Sequence, residues 1–72
     1  MTAKEMFEEL GFKKVKPRNK ILTQIEFYSE DYNESIEFFK NYKEYYVENL
    51  GIDMNILKAI IQQCKELGWL DD

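Results

Sequence analysis

The chain punctuates itself in the same way twice, and this limits its fold more than anything else in the sequence. Glu9-Leu10-Gly11-Phe12 near one end matches Glu66-Leu67-Gly68-Trp69 near the other. In each, a glycine follows the last apolar position of a helical pattern and an aromatic residue follows the glycine. Glycine takes the left-handed conformation that stops a helix, and the next apolar residue folds back onto the last turn. Both ends are therefore expected to be helical. At the first, Thr2 is the N-cap, with Glu5 at capping-box spacing, and Ala3, Met6, Phe7 and Leu10 make the apolar stripe. At the second, Asp53 is the N-cap, and Ile52 and Leu57 have the spacing of a hydrophobic staple. The expected buried stripe there is Ile56, Leu57, Ile60, Ile61, Cys64 and Leu67.

Between the helices the period changes. Ile21, Thr23, Ile25 and Phe27 alternate with Gln24, Glu26 and Tyr28, Leu22 being the exception, which predicts a strand with one buried face. Ser29–Asn33 is a polar turn. Ser35–Lys40 and Lys43–Glu48 read as further strands, with a turn at Asn41-Tyr42. Phe12–Lys16 is a candidate short edge strand, followed by a turn at Pro17-Arg18-Asn19. Tyr32, Ile36, Phe39, Tyr42 and Tyr46 also fit a helical stripe capped by Asp31. Strands are preferred, because two short helices need a sheet to cover. The expected architecture is α+β, in the order α-β-β-β-α. A three-stranded antiparallel meander carries both helices on one face, packed on Ile21, Ile25, Phe27, Ile36 and Phe38. Its other face is half open and carries Tyr28, Phe39 and Tyr46.

Residues 1–72 form a single domain on this reading. A chain of 72 residues buries a small share of its surface, and such scaffolds usually recruit a crosslink, a metal or a partner. Cys64 is the one cysteine and there is no histidine, so neither a disulfide within the chain nor a zinc site is expected. Aromatic residues, 15% of the chain, are left to build the core or to share one with a second copy. No stretch approaches the length of a membrane span and Met1–Leu10 lacks an apolar signal region, which with one free cysteine predicts a cytoplasmic protein.

No catalytic residue, cofactor site or metal site is expected. Cys64 falls late on an apolar helical stripe in a chain without histidine, a setting for a core thiol and not for a nucleophile. Glu8-Glu9, Glu30-Asp31 and Asp71-Asp72 fall where solvated carboxylates belong. Asp31, Asn33 and Glu34 lack the twelve-residue loop and the glycine of a calcium site. Two surface features remain. Lys13, Lys14, Lys16, Arg18 and Lys20 place five of the ten basic residues within eight positions, a candidate phosphate contact. The same lysines would guard an edge strand against aggregation. The net charge of −4 disfavours general nucleic-acid binding, and raises an acidic mimic of nucleic acid as a further reading. The second feature is a surplus of aromatics that so small a sheet cannot bury, giving Tyr28, Phe39, Tyr45 and Tyr46 as a candidate protein interface. The function expected is a non-catalytic protein-binding module, acting on an unidentified protein or as a homodimer.

The segments Met1–Phe12 (MTAKEMFEELGF) and Ile52–Leu70 (IDMNILKAIIQQCKELGWL) resemble a group of short, uncharacterised proteins of Gram-positive bacteria and their prophages. In that group, an AKEMFEELGF-like start and an LKAI…ELGWL-like end bracket a variable β-rich middle. The resemblance implies a host of that type and a mobile-element origin, and it transfers no catalytic residue.

Overall fold

A computed structural model describes residues 1–48 and 51–70. Its elements are α1 (Ala3–Glu9), β1 (Lys13–Val15), β2 (Thr23–Ser29), β3 (Glu34–Phe39), β4 (Tyr45–Val47) and α2 (Met54–Glu66). Among the described residues the strands form one antiparallel sheet in the order β1-β2-β3-β4. The fold is α+β, with two helices flanking the sheet in sequence. The sheet has four strands where three were expected, because Lys13–Val15 pairs along Glu26–Tyr28. The helical alternative for the middle does not occur.

Both helices are capped as their sequences dictate. The Thr2 hydroxyl accepts from the Glu5 N–H at 3.2 Å, while Glu5 accepts from the Thr2 N–H at 2.8 Å. The Asp53 carboxylate accepts from the Ile56 N–H at 2.8 Å. At the other ends, Gly11 and Gly68 have φ of 91° and 78°. Beyond them, the Phe12 N–H reaches back to the Phe7 carbonyl and the Trp69 N–H to that of Cys64, at 2.9 and 2.8 Å. The repeated tetrapeptide is thus one C-cap device used twice, with the aromatic residue delivered to the core each time.

That core joins both helices to the central strands. Phe7 stacks on Phe27 with ring centroids 4.2 Å apart. It meets Phe12 and Phe38 edge to face. Trp69, half-buried, lies 6.2 Å from Phe38. Ile36, Ile56, Ala59, Ile60 and Cys64 complete the cluster. Burying one large apolar side chain contributes about 1.5–3 kcal/mol, so the four phenylalanines dominate cohesion. The helices are also tied directly, by the Ala3 N–H donating to a Glu66 carboxylate oxygen at 2.7 Å.

Three residues depart from their expected places. Ile21, expected in the core, is 83% exposed. It precedes β2, in a turn where its N–H donates to the Asn19 side chain. Within β2 there is also a bulge: Thr23 pairs with Phe39 but Ile25 with Phe38, so Gln24 is an extra residue. One inserted residue moves the strand residue before it to the opposite face. Thr23 accordingly lies on the face away from Phe27, where its hydroxyl donates to Glu37 at 3.0 Å. On α2, the buried face is Ile56, Ala59, Ile60, Gln63 and Cys64, and Ile61 is exposed. At 100° per residue Ile61 points about 130° from the centre of that face, too far round to be covered with it.

Candidate functional site

Cross-strand partners share a face of a sheet, so the register assigns each side chain. Phe27, Ile36, Phe38, Tyr45 and Val47 lie on the face that joins the helices. Lys13, Glu26, Tyr28, Ser35, Glu37, Phe39 and Tyr46 lie on the other. Part of that second face is roofed by residues 16–22, which connect β1 to β2. Arg18 fixes this roof. Its backbone N–H and its Nε each donate to Glu26, both at 3.0 Å, and its guanidinium also donates to the Ser35 hydroxyl at 3.0 Å. Glu26 is consequently 1% exposed although it sits on the face without helices. A buried carboxylate persists when it is paired and hydrogen-bonded, and both oxygens of Glu26 are engaged. Asn19 makes the turn that follows, its side chain accepting from the Ile21 and Leu22 N–H groups.

Beyond the roof the face is open. Two adjoining hollows lie there, and Leu22 and Phe39 line both. Tyr46, Glu37, Arg18 and Asn19 complete one, of about 560 Å³. Tyr42 and Glu44 complete the other, of about 240 Å³. No helical residue lines either. Leu22, Tyr46 and Tyr42 are 41%, 50% and 63% exposed, and Phe39 is half-buried between them. The result is an apolar, aromatic patch with charged groups at its margin. Nearby in sequence, the Lys40 ammonium donates to the Lys20 carbonyl at 3.0 Å.

The structure divides the expected aromatic interface. Phe39 and Tyr46 belong to this patch. Tyr28 shares their face but is half-buried, and its hydroxyl donates to Asn33 at 3.0 Å. Tyr45 lies on the helix-bearing face at the sheet edge, with its ring 6.4 Å from Phe38. Leu22 was not expected in a site; Tyr42, expected at a turn, joins it. Leu22 was legible as the residue that breaks the alternation of the strand.

The basic residues are exposed but not gathered on one plane. Lys13 pairs opposite Tyr28 and Lys14 opposite Phe27, so adjacent lysines project to opposite faces of β1. Lys16, Arg18 and Lys20 follow in the roof segment, with the Arg18 side chain turned to Glu26. Cys64 lies in the core, and burial raises its thiol pKa above the ordinary value of 9.0. Among the described residues no cluster of three or more His, Cys, Asp or Glu is placed to hold a metal ion. No described helix is long and apolar enough to cross a membrane. The carboxylates of Asp71 and Asp72 lie outside the described residues.

The chain matches no protein-family model, no curated protein and no solved structure.

Proposed function

We propose that this chain is a non-catalytic protein-binding module whose contact surface is the open sheet face around Leu22, Phe39, Tyr42 and Tyr46. The observation that carries the reading is their convergence on the sheet face that no helix lines, around two adjoining hollows. Four large apolar side chains gathered on a small domain are a concentrated apolar patch, and such patches mark contact sites. Tyrosine suits the role because its ring is buried by the partner while its hydroxyl keeps a hydrogen bond. The resemblance of both chain ends to short prophage-type proteins supports a mobile-element setting for the partner.

The nucleic-acid reading has less support. Its five basic residues are split between two sheet faces and a roof segment, and Arg18 is engaged with Glu26.

The test pairs two measurements. Immobilised wild type should retain a specific protein from a Gram-positive lysate, and Leu22→Asp/Tyr46→Asp should lose it while keeping the wild-type circular dichroism. Sedimentation equilibrium shows whether the bound partner is instead a second copy. A strict monomer that retains nothing, or equal retention by the double variant, rejects the reading.

A further inference from the structure

We propose that the outer edge of β4 accepts an extended, basic segment of a partner protein as an added strand; this rests on the protein-binding reading and names its partner's chemistry. The two edges of the sheet are built differently. β1 carries Lys13 and Lys14 and is followed by Lys16 and Pro17, residues that discourage strand pairing. β4 is Tyr45-Tyr46-Val47, three strand-favouring residues with no charge or proline among them. Its backbone is also set for addition. The Phe39 N–H donates to the Glu44 carbonyl at 2.9 Å, and the Glu48 N–H donates to the Glu34 carboxylate at 2.7 Å. Residues 44, 46 and 48 thus turn their backbone groups towards β3, and the alternation of an antiparallel strand turns those of Tyr45 and Val47 outwards. No strand among the described residues lies on that side.

Charge selects the occupant. Glu44 and Glu48, both exposed, flank the edge, Glu48 with the Arg18 guanidinium 4.0 Å from its carboxylate. Antiparallel pairing of β4 with a second copy about Tyr46, the register that uses the whole strand, sets Glu44 opposite the partner copy's Glu48, and like charges directly opposite are destabilising. Pairing about Tyr45 instead draws in Lys43, whose φ of 51° interrupts the extended backbone. Self-addition is disfavoured in these two registers. A partner strand with lysine or arginine at those positions meets the Glu44 carboxylate at one end and, at the other, the Glu48 carboxylate that Arg18 also faces. The partner residue opposite Tyr46 falls on the open face, continuous with the patch of Leu22, Phe39 and Tyr42, so one segment occupies both features.

The probe is a nine-residue, end-blocked peptide of alternating valine and lysine, titrated into ¹⁵N-labelled protein. The controls are its glutamate counterpart and a version N-methylated at alternate backbone amides, which keeps the side chains but blocks one edge. The expected result is saturable shifts of the Tyr45 and Val47 amides, at least tenfold weaker binding of the glutamate peptide, and loss of binding on N-methylation. Glu44→Lys should weaken the lysine peptide several-fold with the remaining amide shifts in place. Equal binding of both charge forms, shifts at Lys13–Val15 instead, or no shifts at millimolar peptide overturns the inference. Concentration-dependent shifts of Tyr45 and Val47 without peptide also overturn it, in favour of a second copy. Shifts confined to Leu22, Phe39, Tyr42 and Tyr46 overturn the edge assignment while leaving the open-face reading intact.

Discussion

Glu26 places a carboxylate inside a small domain, and Arg18 is the cation that accommodates it. The Arg18 side chain is 65% exposed, so solvent screens the pair and the full penalty of a buried unpaired charge does not apply. Arg18→Ala still removes two side-chain hydrogen bonds from a pair of buried partners, Glu26 and Ser35. The expected loss is about 1–3 kcal/mol of unfolding free energy in urea at pH 7. In a Glu26→Gln background the same change should cost at least about 1 kcal/mol less, because the stranded charge is gone. An equal loss in both backgrounds would show that the pair is uncoupled. Cys64 gives a second residue-scale prediction. With its thiol pKa raised by burial, the native protein should resist iodoacetamide at pH 8 and react readily once unfolded in urea. Stability should also decline as pH rises beyond the unfolded thiol value, since the unfolded chain ionises there first. None of the Glu26 arrangement was legible in the sequence. Glu26 alternates with Ile25 and Phe27 as a solvent-facing residue should, and only the path of the roof segment buries it. Ile21 is the converse case: its spacing is right for the core, but β2 starts only at Thr23 and Ile21 lies in the turn before it. Ile21→Ser should therefore change stability by less than about 0.5 kcal/mol, as surface substitutions do.

At the scale of elements, the parts set by local chemistry were the most legible. Caps and stop signals act within five residues, and each of them, Thr2, Gly11, Asp53 and Gly68, occurs where the sequence placed it. Replacing Asp53 by Ala should cost about 1 kcal/mol by leaving the Ile56 N–H unsatisfied. Gly68→Ala should cost about 1 kcal/mol through the left-handed backbone alone, since nothing lies within 4 Å of the added carbon. The Thr2 N–H holds the Glu5 carboxyl below its ordinary 4.5. That contribution is present above the unfolded pKa and is lost as pH falls through the lower folded one. Amide protection at the start of α1, corrected for the intrinsic exchange rate, should therefore fall on acidification below about pH 4.5, and this pH dependence should be absent in Glu5→Gln. Strand number and register were less legible because they depend on pairing across the chain. The three residues of β1 count as a strand through their partners in β2. The open patch was half legible for the same reason: Phe39 and Tyr46 follow from alternation, while Leu22 and Tyr42 sit in connections whose paths the sequence does not encode locally.

For the whole molecule, the deciding property is that there is one core and both ends of the chain enter it. Phe7 and Phe12 come from the first twelve residues of the chain, and Ile60, Cys64 and Trp69 from the last thirteen, and they meet around Phe27 and Phe38. The bond from the Ala3 N–H to Glu66 closes the same loop between the helices. A domain of this size has a total stability of about 4–11 kcal/mol at roughly 0.05–0.15 kcal/mol per residue. Truncating one buried phenylalanine typically costs about 3–5 kcal/mol. Phe38 touches α1 through Phe7, β2 through Phe27, the sheet edge through Tyr45 and the chain end through Trp69, so its loss is not confined to one element. Phe38→Ala is expected to lower the urea midpoint severely, with a substantial unfolded fraction at 37 °C. Phe38→Leu, which keeps most of the buried volume, should retain a cooperative transition. In the wild type, Trp69 fluorescence reports the C-terminal end of the core and far-UV circular dichroism reports both helices and the sheet. The two should give one coincident transition. A fluorescence change that precedes the loss of secondary structure would mean that α2 and Trp69 detach as a separate unit, and the single core joining both ends would be refuted.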